Sequence, residues 1–518
     1  MISSRISFVF SVSLFFSVPI FSQHGDPKVA NESLTQGNFE VALEEYLLLL
    51  EEDSANSTYN YRAAVCYLNS NIDKSKSIPH LQKVLAAGKF DNNTYYLLGR
   101  GYHYANKFDE AIRMFGKYNE AGGGTAATEQ EVNKQIEYCL NAKELMKFPQ
   151  NVKFENLGPN INTVYPDYYP FVPTDESFIV YNSRRDDGSE KLSNGSFGSN
   201  VYISKVVNGE FQKSSQVQKN INTTDGNEEV IGLSAKGDIM LLYYENKISN
   251  GNIFLSNEIN ENEFGTPVIL ESAINSRDHE IAASISRDGN AIYFASDRTG
   301  GFGGTDIYIS RKLPIGGWGP AQNLGTSVNT EWDEDFPNIS PDGMTLYFSS
   351  KGHTSMGGYD IFSASFNPAT KSFENVRNIG FPLNTVNDDM NFRVSESGRN
   401  GYMAAIRPGG IGDYDIYRVT LLDVESRYSI IKGLIKNSDP SKKITDISIS
   451  VTDNKTGEIY GDYLPNFNTM RYVIILPPGE YNVMIDAAGF KAVSENIKIL
   501  DKSSFQAEID KDILLSPK

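Results

Sequence analysis

The chain has 518 residues, 40% of them hydrophobic and 22% charged, with a formal net charge of −18. Acid in that excess excludes nucleic acid and anionic lipid as direct partners; it is compatible with divalent cations, although most of it belongs on a solvated surface. Two cysteines, Cys66 and Cys139, both in a helical stretch, exclude a disulfide framework and read as small buried packing residues.

Residues 1–22 have the pattern of a secretory signal peptide. Arg5 supplies the positive start, Ile6 to Ile20 is almost wholly apolar, and cleavage is expected near Ser22 and Gln23. The apolar run is too short for a stable membrane span, and no other stretch reaches span length. No cysteine adjoins the cleavage point, so a lipid anchor is not expected.

From residue 23 to 148 the pattern is helical, with apolar residues three and four apart. A period near 34 is visible. Tyr95, Leu98, Gly99, Tyr102, Phe108, Ala111 and Phe115 stand where tetratricopeptide repeats place theirs; Ala64 and Tyr67 stand one period earlier, and Gly37, Phe39, Ala42 and Tyr46 mark the first unit. A last helix from Glu129 to Met146 closes the stack. Two uses remain open for such an array: a concave face for a peptide or protein, or a spacer packed on the next domain.

Residues 152–422 repeat a three-strand unit, clearest as DEDFPNISPDGMTLYFSS followed by GGYDIFSAS from Asp333 to Ser365. Its turn column holds Glu176, Gly237, Gly289, Gly343 and Gly398; its third-strand column holds Val201, Ile253, Ile307, Ile361 and Ile416. Gly289 and Gly343 are 54 residues apart, a period that points to propeller blades. A linker such as NLGPNINT, NLGTSVNT or NIGFPLNT precedes each unit and none follows the fifth. An N-terminal strand is therefore expected to complete the last blade, giving five blades, with six as the alternative.

Nine residues before the turn column every repeat carries a carboxylate: Asp167, Glu228, Glu280, Glu334 and Asp389. Glu229, Asp278, Asp333, Asp335 and Asp388 add more acid beside them. At the start of the innermost strand, these five are expected to ring one channel mouth. Carboxylates facing one another repel unless hydrated, protonated or bridged by a hard cation, which makes Ca²⁺ the cofactor candidate. The alternative, which is preferred, is structural: each carboxylate accepts hydrogen bonds from backbone N–H groups of the adjacent blade's linker.

Catalytic chemistry is not indicated. There is no G-x-S-x-G elbow, and His24, His80, His103, His279 and His353 form no metal-type spacing. The runs Gly300 to Gly304 and Gly409 to Gly412 open no helix and carry no Gly-Lys-Ser/Thr ending, so they read as blade loops.

From residue 428 to 518, alternating strands such as ISISVTD and YVIILPPGEYNVMID predict a small β-sandwich, with turns at Thr456-Gly457 and at Pro477-Pro478-Gly479.

SPDGMTLYFSS with GGYDIFSA and the NLGTSVNT linker resembles the PD40 (WD40-like, TolB-like) propeller repeat. PPGEYNVMIDAAGF is similar to carboxypeptidase-regulatory-like domains of the transthyretin type. The order of the three parts resembles PorE-type periplasmic proteins of the Bacteroidota type IX secretion and gliding machinery. That family continues into an OmpA-like domain; this chain reaches Lys518 without one, so neither peptidoglycan anchoring nor lipid anchoring is carried over. The resemblance implies a non-enzymatic periplasmic adaptor that docks cell-envelope proteins, among them an outer-membrane barrel of PorP/SprF type, with no catalytic residues. The alternative is a module binding a glycan, cell-wall fragment or other small ligand at the acidic channel mouth.

Overall fold

The computed structural model describes residues 24–518, apart from 189–190, 224–225, 246–249, 396–397, 399, 423–428, 468, 478 and 500–507. The signal-peptide expectation and Pro478 of the expected turn lie outside the described residues.

Seven α-helices come first among the described residues: α1 (Pro27–Thr35), α2 (Phe39–Glu52), α3 (Ser57–Asn69), α4 (Ser77–Ala86), α5 (Asn93–Tyr104), α6 (Phe108–Glu120) and α7 (Glu129–Leu145). The sequence encodes their limits. Pro27 enters α1 behind an Asp26 cap, and Thr128 and Glu131 close a reciprocal capping box on α7. Successive helices pack as hairpins around buried Ala42, Tyr46, Ala63, Ala64, Ala111 and Phe115. Gly99 shows why a small residue is needed: a Cβ there would lie 2.6 Å from the Phe115 ring. Cys66 and Cys139 are free and fully buried, as packing residues, and burial pushes both thiols up to about 12.

Every described strand between Val152 and Leu421 belongs to one of five antiparallel sheets. Each runs outward from an innermost strand, as in the fourth: Glu334–Ile339, Thr345–Ser350, Asp360–Asn367, Ser372–Asn378. The fifth sheet takes its outer strand from the start of the region, with Val152–Asn156 paired to Asp415–Leu421. That pairing closes the ring and leaves no gap between first and last blades. The result is a β-propeller.

One side chain per linker locks the ring. Asn162, Asn222, Asn275, Asn329 and Asn384 each bond both the N–H and the C=O of one third-strand residue. Asn222 to Asn384 hold the blade behind them, and Asn162 holds Ile416 of the last blade. The turn column is equally regular. Glu176, Gly237, Gly289, Gly343 and Gly398 all have φ between +53° and +82°, which glycine adopts freely and Glu176 does not.

Residues 429–515 form two four-stranded sheets around one apolar core. Inward Ile431, Tyr472 and Ile474 of one sheet meet Ile449, Val483 and Ile485 of the other. Thr456-Gly457 turns between paired strands, as expected. The Pro477 connection differs from expectation: its flanking strands, Arg471–Leu476 and Gly479–Ala487, pair in different sheets. Proline has no N–H for a tight ladder turn, and there it marks a crossing between sheets.

Candidate functional site

The five repeated carboxylates are nearly inaccessible, between 0% and 3% exposed. Each is held by the linker residue just before it. Thr163, Thr330 and Thr385 donate both N–H and hydroxyl to Asp167, Glu334 and Asp389 at 2.6–2.8 Å. Ser276 does the same for Glu280, and the Thr223 hydroxyl reaches Glu228. Each of the five therefore has a hydrogen-bond partner in its own linker. A Ca²⁺ ion needs oxygens 2.3–2.6 Å from its centre, and among the described residues no three acidic, His or Cys side chains are grouped to hold an ion.

An arginine column, not foreseen from the sequence, completes this arrangement. Arg185 lies 2.7 Å from Asp167, and Arg298 lies 2.9 Å from Glu280. Arg407 acts on Asp389 from the equivalent place in the fifth blade. The signal was available: each of these arginines follows its carboxylate by 18 residues. The fourth blade has Gly352 there, so Glu334 has only Thr330 and the Ser350 hydroxyl. Burial pushes the Glu334 and Asp389 carboxyls up to about 7 against those hydrogen bonds.

The neighbouring acids serve different ends. Asp333 pairs with Lys351 at 2.8 Å, and Asp388 accepts the Tyr359 N–H. Asp278 donates its N–H to the Ser276 hydroxyl. Glu229 and Asp335 belong to the channel. Glu229 accepts the Tyr168 hydroxyl at 2.7 Å and pairs with Arg184. Asp335 accepts the N–H of Phe336, and burial holds its carboxyl at about 7.

Backbone shape turns aromatic side chains into the channel. Tyr169, Phe336 and Asn391 share one register position, two residues past the carboxylate, and all three have φ near +50°. That breaks the alternation of the innermost strand. Tyr169 packs 4.7 Å from both Tyr168 and Phe336, and Phe336 meets Tyr359 edge-on. A cavity of about 310 Å³ opens here, lined by Tyr168, Tyr169, Arg184, Glu229, Met390 and Tyr414, with Asn71 of the helical part at its rim. Rings beside one cation and one anion suit a ligand with both an apolar face and hydrogen-bonding edges.

The helices roof this mouth. Tyr138 and Asn141 of α7 donate to the Lys351 and Ser355 carbonyls, and Asn71 donates to Asp413. His103 is buried with Nε2 2.9 Å from the Met356 carbonyl, so Nε2 is the donor. Met356 and Val386 complete a core shared with Phe108 and Phe115.

His353 is bound to the Val328 carbonyl, and His279 pairs with Asp297 near the surface. The glycine runs wrap carboxylates of their own chain: Phe302 and Gly303 donate to Asp306, and Ile411 donates to Asp415. Among the described residues no helix is long and apolar enough to cross a membrane.

No family model matches the chain, and no curated protein matches it. Among solved structures it resembles TolB from Acinetobacter baumannii at 17% identity and a TM-score of 0.32, over 49% of this chain and 55% of that one. It resembles a TolB of Agrobacterium tumefaciens at 16% identity and a TM-score of 0.32, over 63% and 97%. An oligogalacturonate lyase solved with manganese matches at 12% identity and a TM-score of 0.28, over 53% and 97%. Similarities this low carry no statement about activity.

Proposed function

We infer that this protein is a non-enzymatic scaffold of the bacterial periplasm that binds cell-envelope proteins. The observation that carries the reading is the outward face of the C-terminal sheets. Val473, Ile475 and Leu514 are 46–58% exposed on one sheet, with Ile459, Leu464 and Phe467 exposed nearby. Several large apolar side chains turned to water in one small unit suit a protein partner. The repeated carboxylates support the same reading, because Thr, Ser and Arg partners in their own blades engage them. In finer detail, we assign tetratricopeptide-like character to the helices and regulatory-like, transthyretin-type character to the C-terminal sheets. The partner we favour is an outer-membrane β-barrel of PorP/SprF type in type IX secretion or gliding. Binding several proteins at once raises their effective concentration to one another.

The test is capture from mild detergent extracts. Wild-type protein is expected to retain a barrel protein in stoichiometric amount. Val473→Glu with Ile475→Glu is expected to lower the yield at least tenfold with an unchanged melting curve, since both side chains point outward. Purification without a partner, together with binding of a muropeptide or oligosaccharide lost in Tyr169→Ala, would overturn the scaffold in favour of a ligand module built on the 310 Å³ cavity.

A further inference from the structure

At the opposite end of the propeller channel, Arg393 has no counterion among the described residues. Arg393 lies on the innermost strand of the fifth blade, Arg393–Val394. Its Nη1 makes one long contact, 3.5 Å, to the Leu233 carbonyl of the second blade. Its Nε and Nη2 are closed to solvent and have no hydrogen-bond partner among the described residues. The guanidinium lies 4.3 Å over the ring of Phe171. Asn391, two residues earlier, leaves its Nδ2 unpartnered as well, although its Oδ1 accepts from Asn338 at 2.9 Å. Asn338 Oδ1 in the same wall is an acceptor without a partner among the described residues, but the two orphan guanidinium nitrogens of Arg393 still mark a missing acceptor, since buried donors are rarely left unpaired.

The space beside them limits what that acceptor is. A cavity of about 30 Å³ lies against Arg393, with Asn338, Ser340, Ser395 and Thr174 among its walls. None of its described walls carries a carboxylate. That volume takes one or two water-sized groups and excludes a sugar or a phosphorylated metabolite. Desolvation with no acid nearby pushes Arg393 down to about 9, so at neutral pH it stays charged and uncompensated. Water alone supplies an acceptor but leaves the charge. An anion supplies both, and a guanidinium is the cation most easily stripped of water to receive it.

We propose that Arg393 binds a single chloride-sized anion at this end of the channel, where Arg287 also lines the cavity, supplying the acceptor that the Arg393 guanidinium lacks among the described residues and tying the fifth blade to the second. The ion acts as a pin for the ring, bound by folded protein and not by unfolded chain.

Unfolding of the full chain followed by tryptophan fluorescence tests this directly, because both tryptophans, Trp318 and Trp332, lie in the propeller. At constant ionic strength, replacing gluconate by chloride is expected to raise the midpoint saturably, by roughly 2–4 °C at tenfold excess over Kd. Bromide should substitute, and a crystal grown in bromide should show anomalous density in contact with Nε or Nη2 of Arg393. Arg393→Met should lose the chloride response and, in gluconate, unfold no earlier than wild type. Should that variant fail to fold, line broadening of the ³⁵Cl resonance by wild-type protein, reversed by bromide, gives the same answer. Equal midpoints in chloride and gluconate without such broadening would overturn the proposal. So would Glu396→Gln alone reproducing the Arg393→Met behaviour, since the chain's own carboxylate would then be the counterion.

Discussion

Glu334 and Asp389 occupy equivalent positions and show what a repeat does with a buried acid. Hydrogen bonds from a linker threonine favour the charged form, and burial opposes it more strongly. In the unfolded chain such groups lose their proton near pH 4; in the folded chain Glu334, Asp335 and Asp389 keep it until about pH 7. The folded state therefore binds more protons across that window. Their stabilising contribution is complete below pH 4, falls as pH rises towards 7, and is constant above it. Tryptophan-monitored unfolding is expected to show the propeller more stable at pH 5 than at pH 8, provided His protonation elsewhere is separated out. Glu334→Gln should make that profile shallower, leaving the Asp335 and Asp389 contributions, and raise stability at pH 8 by about 2 kcal/mol. A variant whose profile keeps its slope would show that Glu334 is ionised throughout.

At the scale of single elements, the helical hairpins depend on close approach. The α5 to α6 contact leaves no room for a methyl group at Gly99, because Phe115 is fully buried and fixed by its neighbours. Gly99→Ala is expected to destabilise the helical part by about 1–3 kcal/mol, measured by far-ultraviolet circular dichroism against denaturant. Ala at half-buried Gly116, where nothing lies within 4 Å of a Cβ, is the control and should be neutral or slightly stabilising. Both outcomes follow from packing, since Gly99 and Gly116 sit in helices with ordinary backbone. The blade turns depend instead on φ: Gly343 has open space around it, and its positive φ alone makes glycine the right residue.

Across the whole molecule, the contact of α5 and α7 with the loop around Met356 and the linker at Val386 turns two repeat arrays into one platform. His103 lies in that contact, and burial pushes it down to about 4. In the unfolded chain His titrates near 6.5, so between those values the unfolded state binds more protons and stability rises with pH. The docking contribution is thus complete above pH 6.5 and lost towards pH 4, opposite in sign to the buried carboxylates. Hydrogen-exchange protection of α5 and of the loop around Met356, after correction for the intrinsic pH dependence of exchange, is expected to be lower at pH 5 than at pH 7.5. His103→Gln, which retains a donor but does not titrate, should remove that difference.

The repeat period, the glycine turns and the closure of the fifth blade by an N-terminal strand were legible in the sequence, because each is a local requirement copied at a constant spacing. Glu176, at a glycine position of the first repeat, was legible as divergence and proved to share the left-handed turn. The carboxylate column was legible as a column with linker N–H groups as its partners, but its arginine partners were not read. A side chain's partner depends on the strand facing it, and the 18-residue step from Asp167 to Arg185 and from Glu280 to Arg298 gains meaning only once the first two strands are paired. Only tertiary structure decided that the five acids turn to their own linkers, that bulges swing Tyr169 and Phe336 into the channel, and that Arg393 has no counterion among the described residues. Those outcomes depend on which groups share a desolvated space, and chain order does not specify that.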